Sequence, residues 1–163
     1  MKEKFLNAVD MHQGIIHKIL SVYTYNEEDR KDLLQEILLQ LWISFPSFSE
    51  RSAFSTWMFK VALNTALLHK RKRKYEINAR EKMTEKLSSQ FNVDKKDVII
   101  SLYMAIDQLK PVDKAIALLY LEQKNYQEIE QIMGMKKNNV GVRINRIKEK
   151  LRKIFDYEQQ LKK

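Results

Sequence analysis

The chain contains no cysteine among its 163 residues, which excludes disulfides, thiolate metal sites and a cysteine nucleophile. Three glycines and two prolines are too few for the turns of a β-rich fold, and apolar and polar residues nowhere alternate for long. No apolar run is long enough to span a membrane, and the start, MKEKFLNAVD, has no signal-peptide core. We therefore expect an all-α, cytoplasmic protein that is not a membrane protein.

Charge is abundant and unevenly distributed. The formal net charge of +9 indicates a polyanionic partner, although it does not say which one. Residues 1–70 are neutral overall, but Glu27–Glu36 carries five acids against two bases and Arg51–Lys74 carries seven bases and no acid. An acidic segment beside a basic one suggests two different partners.

The segment Asn125–Lys153 has the pattern of two short helices joined by a glycine turn. Asn125 and Glu128 have the spacing of a capping box, and Gly134 supplies a left-handed residue where the first helix ends. The second helix has an apolar stripe at helical spacing. Its members are Val140, Ile144, Ile147, Leu151 and Ile154.

The second of these helices is strongly basic. Lys136–Lys153 holds eight basic residues and one acid, whereas a merely solvated helical hairpin usually mixes both signs. Gly141 near its start costs about 1 kcal/mol relative to alanine, which favours close approach of another backbone at that point. The segment therefore predicts a helix-turn-helix that binds the DNA major groove.

Helical periodicity divides the whole chain into two small domains. We predict helices over Lys4–Leu20, from an Asn26 cap to Trp42 or Phe45, and over Ser55–Arg73, Asp97–Leu109 and Pro111–Glu122. Residues 75–96 are polar and have little apolar periodicity, so they are interpreted as a flexible linker between domains 1–74 and 97–163.

The acidic helix predicts an interaction surface. We expect Leu34, Ile37, Leu38, Leu41 and Phe45 to be buried. At about 100° per residue, the opposite face carries Asp32, Gln35, Glu36 and Leu39, with Trp42 at its margin. An apolar and aromatic anchor inside a polar rim is typical of a protein interface, although lone exposed leucines are common.

The aromatic segment that follows, Phe45–Phe59, lies beside basic residues. Most of its rings are expected in the core, but aromatics next to cations also suit a single-stranded nucleic acid, whose bases stack on rings. We find no catalytic set, because His12, His17 and His69 lack metal-ligand spacing and there is no glycine-rich phosphate loop. We expect no enzyme activity, no cofactor and no metal.

Three motifs in order resemble the extracytoplasmic-function (ECF) sigma factors of bacterial RNA polymerase. DRKDLLQEILLQLW (Asp29–Trp42) resembles the family's polymerase-binding helix, and FSTWMFKVALNTALLHKRKRK (Phe54–Lys74) resembles its minus-ten and melting segment. Ala105–Leu151 resembles its minus-thirty-five domain. The resemblance implies a cytoplasmic subunit of RNA polymerase that recognises promoter DNA, helps to melt it, and is controlled by an anti-sigma partner.

The resemblance also implies site residues. Those for core polymerase are Asp32, Gln35, Glu36, Leu39 and Trp42. Those for the minus-ten element are Phe54, Trp57, Lys60, Asn64, Arg71 and Arg73. Those for the minus-thirty-five element are Lys137, Asn138, Asn139, Val142, Arg143 and Arg146. Among these, Val142 suits a thymine methyl, and the two arginines suit phosphates or guanine edges.

Two alternatives remain at this point. A stand-alone helix-turn-helix regulator would bind duplex DNA by itself and would need neither the acidic face nor the aromatic segment. A metal-dependent nuclease would use Asp29, Asp32 and Glu36 to hold Mg²⁺.

Overall fold

A computed structural model describes the backbone of residues 1–77 and 96–161 and the side chains of residues 1–74 and 99–156. These residues form eight α-helices and one short 3₁₀ turn, with no strand among them. The chain divides into two compact units, Met1–Leu87 and Ser88–Lys163. The prediction of an all-α protein built from two small helical domains is confirmed. The greater part of the expected linker lies outside the described residues.

The first unit contains four helices. They are α1 (Lys2–Met11), α2 (Gln13–Tyr23), α3 (Glu27–Ser44) and α4 (Phe54–Ile77), with the 3₁₀ turn Phe45–Ser47 after α3. The long helices α3 and α4 pack along each other, and α2 packs against both. The core between them consists of fully buried side chains, including Ile19, Leu20, Tyr23, Leu33, Ile37, Leu41, Met58, Phe59 and Leu63.

The single helix predicted for Lys4–Leu20 is wrong, because the chain breaks at His12. There φ is −118° and ψ is 13°, and α1 ends one residue earlier. The His12 ring places Nδ1 2.9 Å from the carbonyl of Ala8, the acceptor that a continuous helix would offer to the His12 backbone. The His12 N–H bonds instead to Val9 at 3.1 Å. The His12 ring therefore occupies the Ala8 carbonyl in place of the backbone N–H, and the helix ends there.

The start of α3 is as predicted, and so is the burial of Ile37 and Leu41, but the rest of its buried face is not. The Asn26 side chain accepts a hydrogen bond from the Asp29 backbone at 2.8 Å, which caps the helix. The buried residues are Asp29, Leu33, Ile37 and Leu41. Leu38, expected inside, is 37% exposed, and Leu34 and Phe45 are half-buried. The helix is thus rotated relative to the prediction, and its core face is centred on Leu33 and Ile37.

The second unit contains α5 (Lys96–Asp107), α6 (Pro111–Leu121), α7 (Tyr126–Met133) and α8 (Lys137–Leu161). Helix α8 packs against the other three. Both hydrogen bonds of the predicted capping box are present between Asn125 and Glu128, at 2.9 Å each. Gly134 has φ of 65°, the left-handed conformation expected where α7 ends. Val140, Ile144 and Ile147 are buried, so the predicted stripe of α8 faces the core.

Candidate functional site

A buried cluster of charges joins α3 to α4. Asp29 is 1% exposed, and its Oδ1 lies 2.8 Å from Nε2 of His69 and also contacts Nη1 of Arg73. The other ring nitrogen of His69, Nδ1, lies 3.2 Å from Oε2 of Glu36. Each ring nitrogen of His69 thus faces a carboxylate oxygen of α3, and Arg73 adds a cation to the same contact.

The outward face of α3 carries the residues predicted to bind polymerase. Asp32 and Gln35 are exposed, Leu39 is 55% exposed and Trp42 is 39% exposed. Glu36 stands apart, since it leans toward His69 at one edge of this face. The sequence interpretation missed Ile43, which is 60% exposed. It follows Leu39 by one helical turn, and that spacing would have revealed it.

The outward face of α4 carries most of the residues predicted to bind the minus-ten element. Lys60, Asn64 and Arg71 are exposed, on the side of the helix opposite the buried Met58, Phe59, Ala62, Leu63 and Ala66. Leu68, which the sequence interpretation missed, is 56% exposed and follows Asn64 by four residues. Polar, basic and apolar side chains thus share one continuous surface stripe.

The basic run at the end of α4 does not act as one patch. Arg73 turns inward to Asp29, away from the stripe that carries Arg71. Lys70 lies over the ring of Tyr25, with its Nζ 4.2 Å from the ring centroid. Lys72 lines a groove together with Asp32 and Glu36 of α3. Of the two arginines predicted for this surface, the structure brings Arg71 to it and holds Arg73 in the α3–α4 contact.

An aromatic cluster extends the α4 stripe at its N-terminal end. The rings of Phe54 and Trp57 are 5.2 Å apart, and each also contacts Phe48, at 5.4 and 5.2 Å. Both Phe54 and Trp57 are half-buried. Rings that are supported on one side and open on the other provide a fixed surface for stacking. Phe48 supports this surface and belongs to the aromatic segment identified in the sequence, although it is not among the predicted site residues.

The exposed face of α8 gathers the residues predicted for the minus-thirty-five element. Lys137, Asn138, Asn139 and Arg146 are exposed, and Val142 is 50% exposed. Asn138, Asn139, Val142 and Arg146 lie away from the buried Val140, Ile144 and Ile147, as the spacing of the stripe predicts, whereas Lys137 at the start of the helix lines a groove with Tyr120 and Tyr126. A basic helix with amides and an exposed valine on its outer face has the donor, acceptor and methyl groups that read base edges.

Arg143 differs from its neighbours because it already has a partner. Its Nη1 lies 2.8 Å from Oδ1 of Asp113 in α6, thirty residues earlier in the chain. The Asp113 side chain is 12% exposed and the Arg143 side chain is 44% exposed. The guanidinium is therefore anchored at one nitrogen while much of the side chain remains open to solvent.

The surroundings of Gly141 within the chain have room for a larger residue. A Cβ at this position would lie 3.4 Å from Cε2 of Tyr126, which is ordinary van der Waals contact, and no positive φ requires glycine there. Packing in the second unit therefore does not explain the glycine. Close approach of a DNA backbone remains a prediction.

Lys124 and Lys148 were not among the predicted site residues. Lys148 lies over the ring of Tyr120, with Nζ 4.5 Å from the centroid, and a hydrogen bond with the Tyr120 side chain raises the pKa of Lys148 above its ordinary value. Lys124 and Lys137 line a groove with Tyr120 and Tyr126. No motif at the sequence level connects α6 to these lysines, because the contacts depend on how α6, α7 and α8 pack.

The contacts of its three acids do not favour the metal-site alternative. The Asp29 carboxylate is buried against His69 and Arg73, and Glu36 also contacts His69, whereas Asp32 is exposed. Among the residues whose side chains the structure describes, no group of three His, Asp or Glu is arranged as a metal site. Within the same part of the chain, no helix is both long and apolar enough to cross a membrane.

Two family matches fall on the two units. Residues 8–75 match Sigma-70 region 2, and residues 99–151 match Sigma-70, region 4. A region-2 unit followed by a region-4 helix-turn-helix defines a transcription initiation factor of the sigma class. This pairing does not favour the stand-alone regulator, which would not need region 2.

Comparison with individual proteins gives the family within that class. The chain is 30% identical to the ECF RNA polymerase sigma factor SigW of Bacillus subtilis, over 93% of this chain and 89% of that protein. It is 26% identical to the ECF RNA polymerase sigma factor SigM of the same organism, over 90% of this chain and 91% of that protein. The chain belongs to the extracytoplasmic-function sigma-factor family, which confirms the resemblance found in its motifs. It directs RNA polymerase to promoters.

Solved structures show the same fold. The sigma factor RpoE in complex with the anti-sigma factor NepR from Bartonella quintana has a TM-score of 0.69 and 19% identity, covering 95% of this chain and 96% of that one. CnrH in complex with the cytosolic domain of CnrY has a TM-score of 0.67 and 16% identity, covering 96% of this chain and 90% of that one.

Proposed function

We propose that three outward helix faces of this sigma factor each make a different contact. The face of α3 around Leu39 binds core RNA polymerase, the α4 stripe with its aromatic cluster captures the melted minus-ten element, and the outer face of α8 reads the minus-thirty-five element. One observation supports this most directly: on each helix most of the predicted contacts are exposed, away from the side chains that form the core. Residues 1–74 and 97–163, joined through residues 75–96, would each engage one promoter element, and tethering would add their affinities.

A reconstituted reaction tests this function. The purified chain is added to core polymerase together with a library of promoter fragments, and promoter-dependent transcripts are sequenced. We expect transcripts that start at defined sites only when both proteins are present. Transcripts from the same sites without the chain, or tight binding of duplex DNA by the chain alone with no effect on polymerase, would contradict the proposal.

The proposal also covers the location of the chain, its lack of catalysis and its control. The chain would act in the cytoplasm with RNA polymerase and would not itself catalyse a reaction. An anti-sigma factor would control it, and NepR is a partner of that class in the solved complex with RpoE. Co-purification of the tagged chain from its own cells would identify that partner.

Trp57 provides the test of the aromatic cluster. If a base of the melted strand stacks on its ring, Trp57→Ala should weaken open-complex formation by about 1–3 kcal/mol, the contribution of one base–aromatic stack. Permanganate reactivity of unpaired thymines measures opening. Because Trp57 also packs against Phe48 and Phe54, the unfolding midpoint is measured in parallel. Trp57→Phe keeps a stacking ring and should keep most of the opening, whereas equal opening in Trp57→Ala and the wild type would rule the stack out.

Arg146 provides the cleaner test of the α8 face, because its neighbour Arg143 is engaged by Asp113. Arg146→Ala should weaken binding of the polymerase complex to a selected upstream element by about 1–3 kcal/mol if it contacts a base. A loss of equal size on unrelated DNA would indicate a phosphate contact. Arg152→Ala removes another exposed arginine of α8 from a different face and serves as the control. No loss in Arg146→Ala on either DNA would contradict the proposed face.

A further inference from the structure

The pair between Arg143 and Asp113 lies at the edge of the proposed DNA-reading face that is nearest to α6. Arg143 is adjacent to Val142 and one turn from both Asn139 and Arg146, which are exposed. Its partner Asp113 belongs to the first turn of α6 and is 8% exposed. A buried acid on a neighbouring helix thus holds a cation that faces outward.

The pair differs from the other acid–base pair of α6. Lys114, the next residue, is buried and places its Nζ 2.7 Å from Oδ1 of Asp107, whose side chain is 46% exposed. In that pair the base is inside and the acid is outside, on α5. In the pair of Asp113 the acid is inside and the base is outside, on the proposed reading helix. Among the described residues, α6 thus forms one charged pair with the proposed reading helix α8 and another with α5.

The geometry limits how Arg143 presents its remaining donors. Guanidinium is planar and carries five N–H donors, so a bond from Nη1 to a fixed carboxylate fixes the direction of the plane as well as its position. A bidentate contact with a guanine edge requires that plane to be aligned with the base. The guanidinium of an unanchored surface arginine samples many orientations, so its N–H donors can bond to any nearby phosphate.

We propose that Asp113 is a positioning residue for promoter recognition: by anchoring Arg143 it makes that arginine selective for a base instead of the DNA backbone. The proposal rests on the function assigned above to α8. Asp113 itself touches no DNA. The partly buried negative charge of Asp113 pairs with Arg143 and orients the guanidinium that contacts the base.

The test is a selection experiment with the full chain bound to core polymerase. Duplexes with randomised upstream sequence are selected, and the base frequencies in the bound fraction are read by sequencing. This readout compares sequences within one sample, so it does not change if a variant is merely less stable. We expect Arg143→Ala to reduce base preference at one upstream position by about tenfold, Asp113→Asn to reduce it at the same position, and the double variant to reduce it no further. Asp113→Glu, which retains the charge, should restore part of the preference.

Asp107→Asn is the matched control, since it removes the acid from the other α6 pair and should leave base preference unchanged. Loss of preference in Arg143→Ala together with full preference in Asp113→Asn would overturn the positioning role while leaving the proposed function intact. An equal loss of base preference at every upstream position in Asp113→Asn would also overturn the positioning role. If Arg143→Ala, Arg146→Ala and the wild type all select the same sequences, the proposed α8 face fails, and the positioning role fails with it.

Discussion

Asp29→Ala is expected to destabilise the first unit by about 3–5 kcal/mol, the usual loss when one partner of a buried ion pair is removed. The variant leaves His69, which is 6% exposed, without its contact at Nε2, and leaves the Arg73 guanidinium without its carboxylate. Glu36 alone would then remain as an acidic partner in the α3–α4 contact. A loss of this size is comparable with the whole stability of a small domain.

The position of the tryptophans makes this measurable in the intact chain. The protein has two, Trp42 and Trp57, and both belong to the first unit. Tryptophan fluorescence during urea unfolding therefore follows that unit alone. The midpoint in Asp29→Ala should fall by more than about 1 M urea, given the typical dependence of unfolding free energy on denaturant.

Asp32→Ala is the matched control for Asp29→Ala. It removes the same side chain from the same helix, but Asp32 is exposed, and a surface change of this kind shifts stability by about 0.5 kcal/mol at most. Asp29→Asn keeps an acceptor oxygen and loses the charge, so it should fall between the two. Equal midpoints for Asp29→Ala and Asp32→Ala would show that the buried cluster does not stabilise the α3–α4 contact.

Features determined by neighbouring residues could be predicted from the sequence. The caps at Asn26 and Asn125 and the left-handed Gly134 involve partners within one helical turn, so their spacing is enough to identify them. The stripe of α8 was also predicted correctly, because its apolar residues occupy one side and its other sides are polar or basic. The proposed reading face follows directly from that stripe.

The buried face of α3 was mispredicted because leucine and isoleucine occur on nearly every side of that helix. Leu33, Leu34, Leu38 and Leu39 form two adjacent pairs, so helical periodicity supports more than one choice of face. Packing against α4 decides the matter by burying Leu33 and leaving Leu38 exposed. The outward face was nevertheless identified, because Asp32, Gln35 and Leu39 are exposed under either choice.

Contacts that join distant segments could not be found by spacing. The bond from His69 to Asp29 spans 40 residues, and the bond from Arg143 to Asp113 spans 30. Each bond gives a residue a partner on another helix, so the position of that residue along its own helix does not reveal its role. Arg73 was grouped with a basic run and Asp29 with an acidic helix start, yet the two are partners. Only the packing of the helices reveals which charges face outward.

The second large effect is expected at the face of α3 that is proposed to bind polymerase. Leu39 and Ile43 expose more than half of their side chains, and Trp42 is 39% exposed beside them. The Trp42 ring is also supported by Phe5, with centroids 5.1 Å apart, so it is held in place before any partner arrives. Apolar and aromatic groups of this kind, rimmed by polar residues, dominate binding energy at interfaces.

The geometry also selects the substitutions for this test. Glu36→Lys would place a cation beside His69 and Arg73, so any loss of binding would be mixed with loss of stability. Asp32 is exposed on the same face and can be reversed in charge without touching that cluster. The Leu39→Ala/Asp32→Lys variant should bind core polymerase at least about 30-fold more weakly, equivalent to about 2 kcal/mol. Competition with labelled wild-type chain for core polymerase measures the change.

A matched control variant exists on α1. Leu6 is 53% exposed and Asp10 is exposed, so Leu6→Ala/Asp10→Lys removes the same apolar group and reverses the same charge on another face of the unit. We expect this control to compete nearly as well as the wild type, and both variants to keep the wild-type unfolding midpoint by tryptophan fluorescence. Equal weakening in the two variants would mean that polymerase senses the overall charge of the unit. Weakening confined to the α3 variant would locate the contact at Leu39 and Asp32, because the two proteins differ only in which helix face was changed.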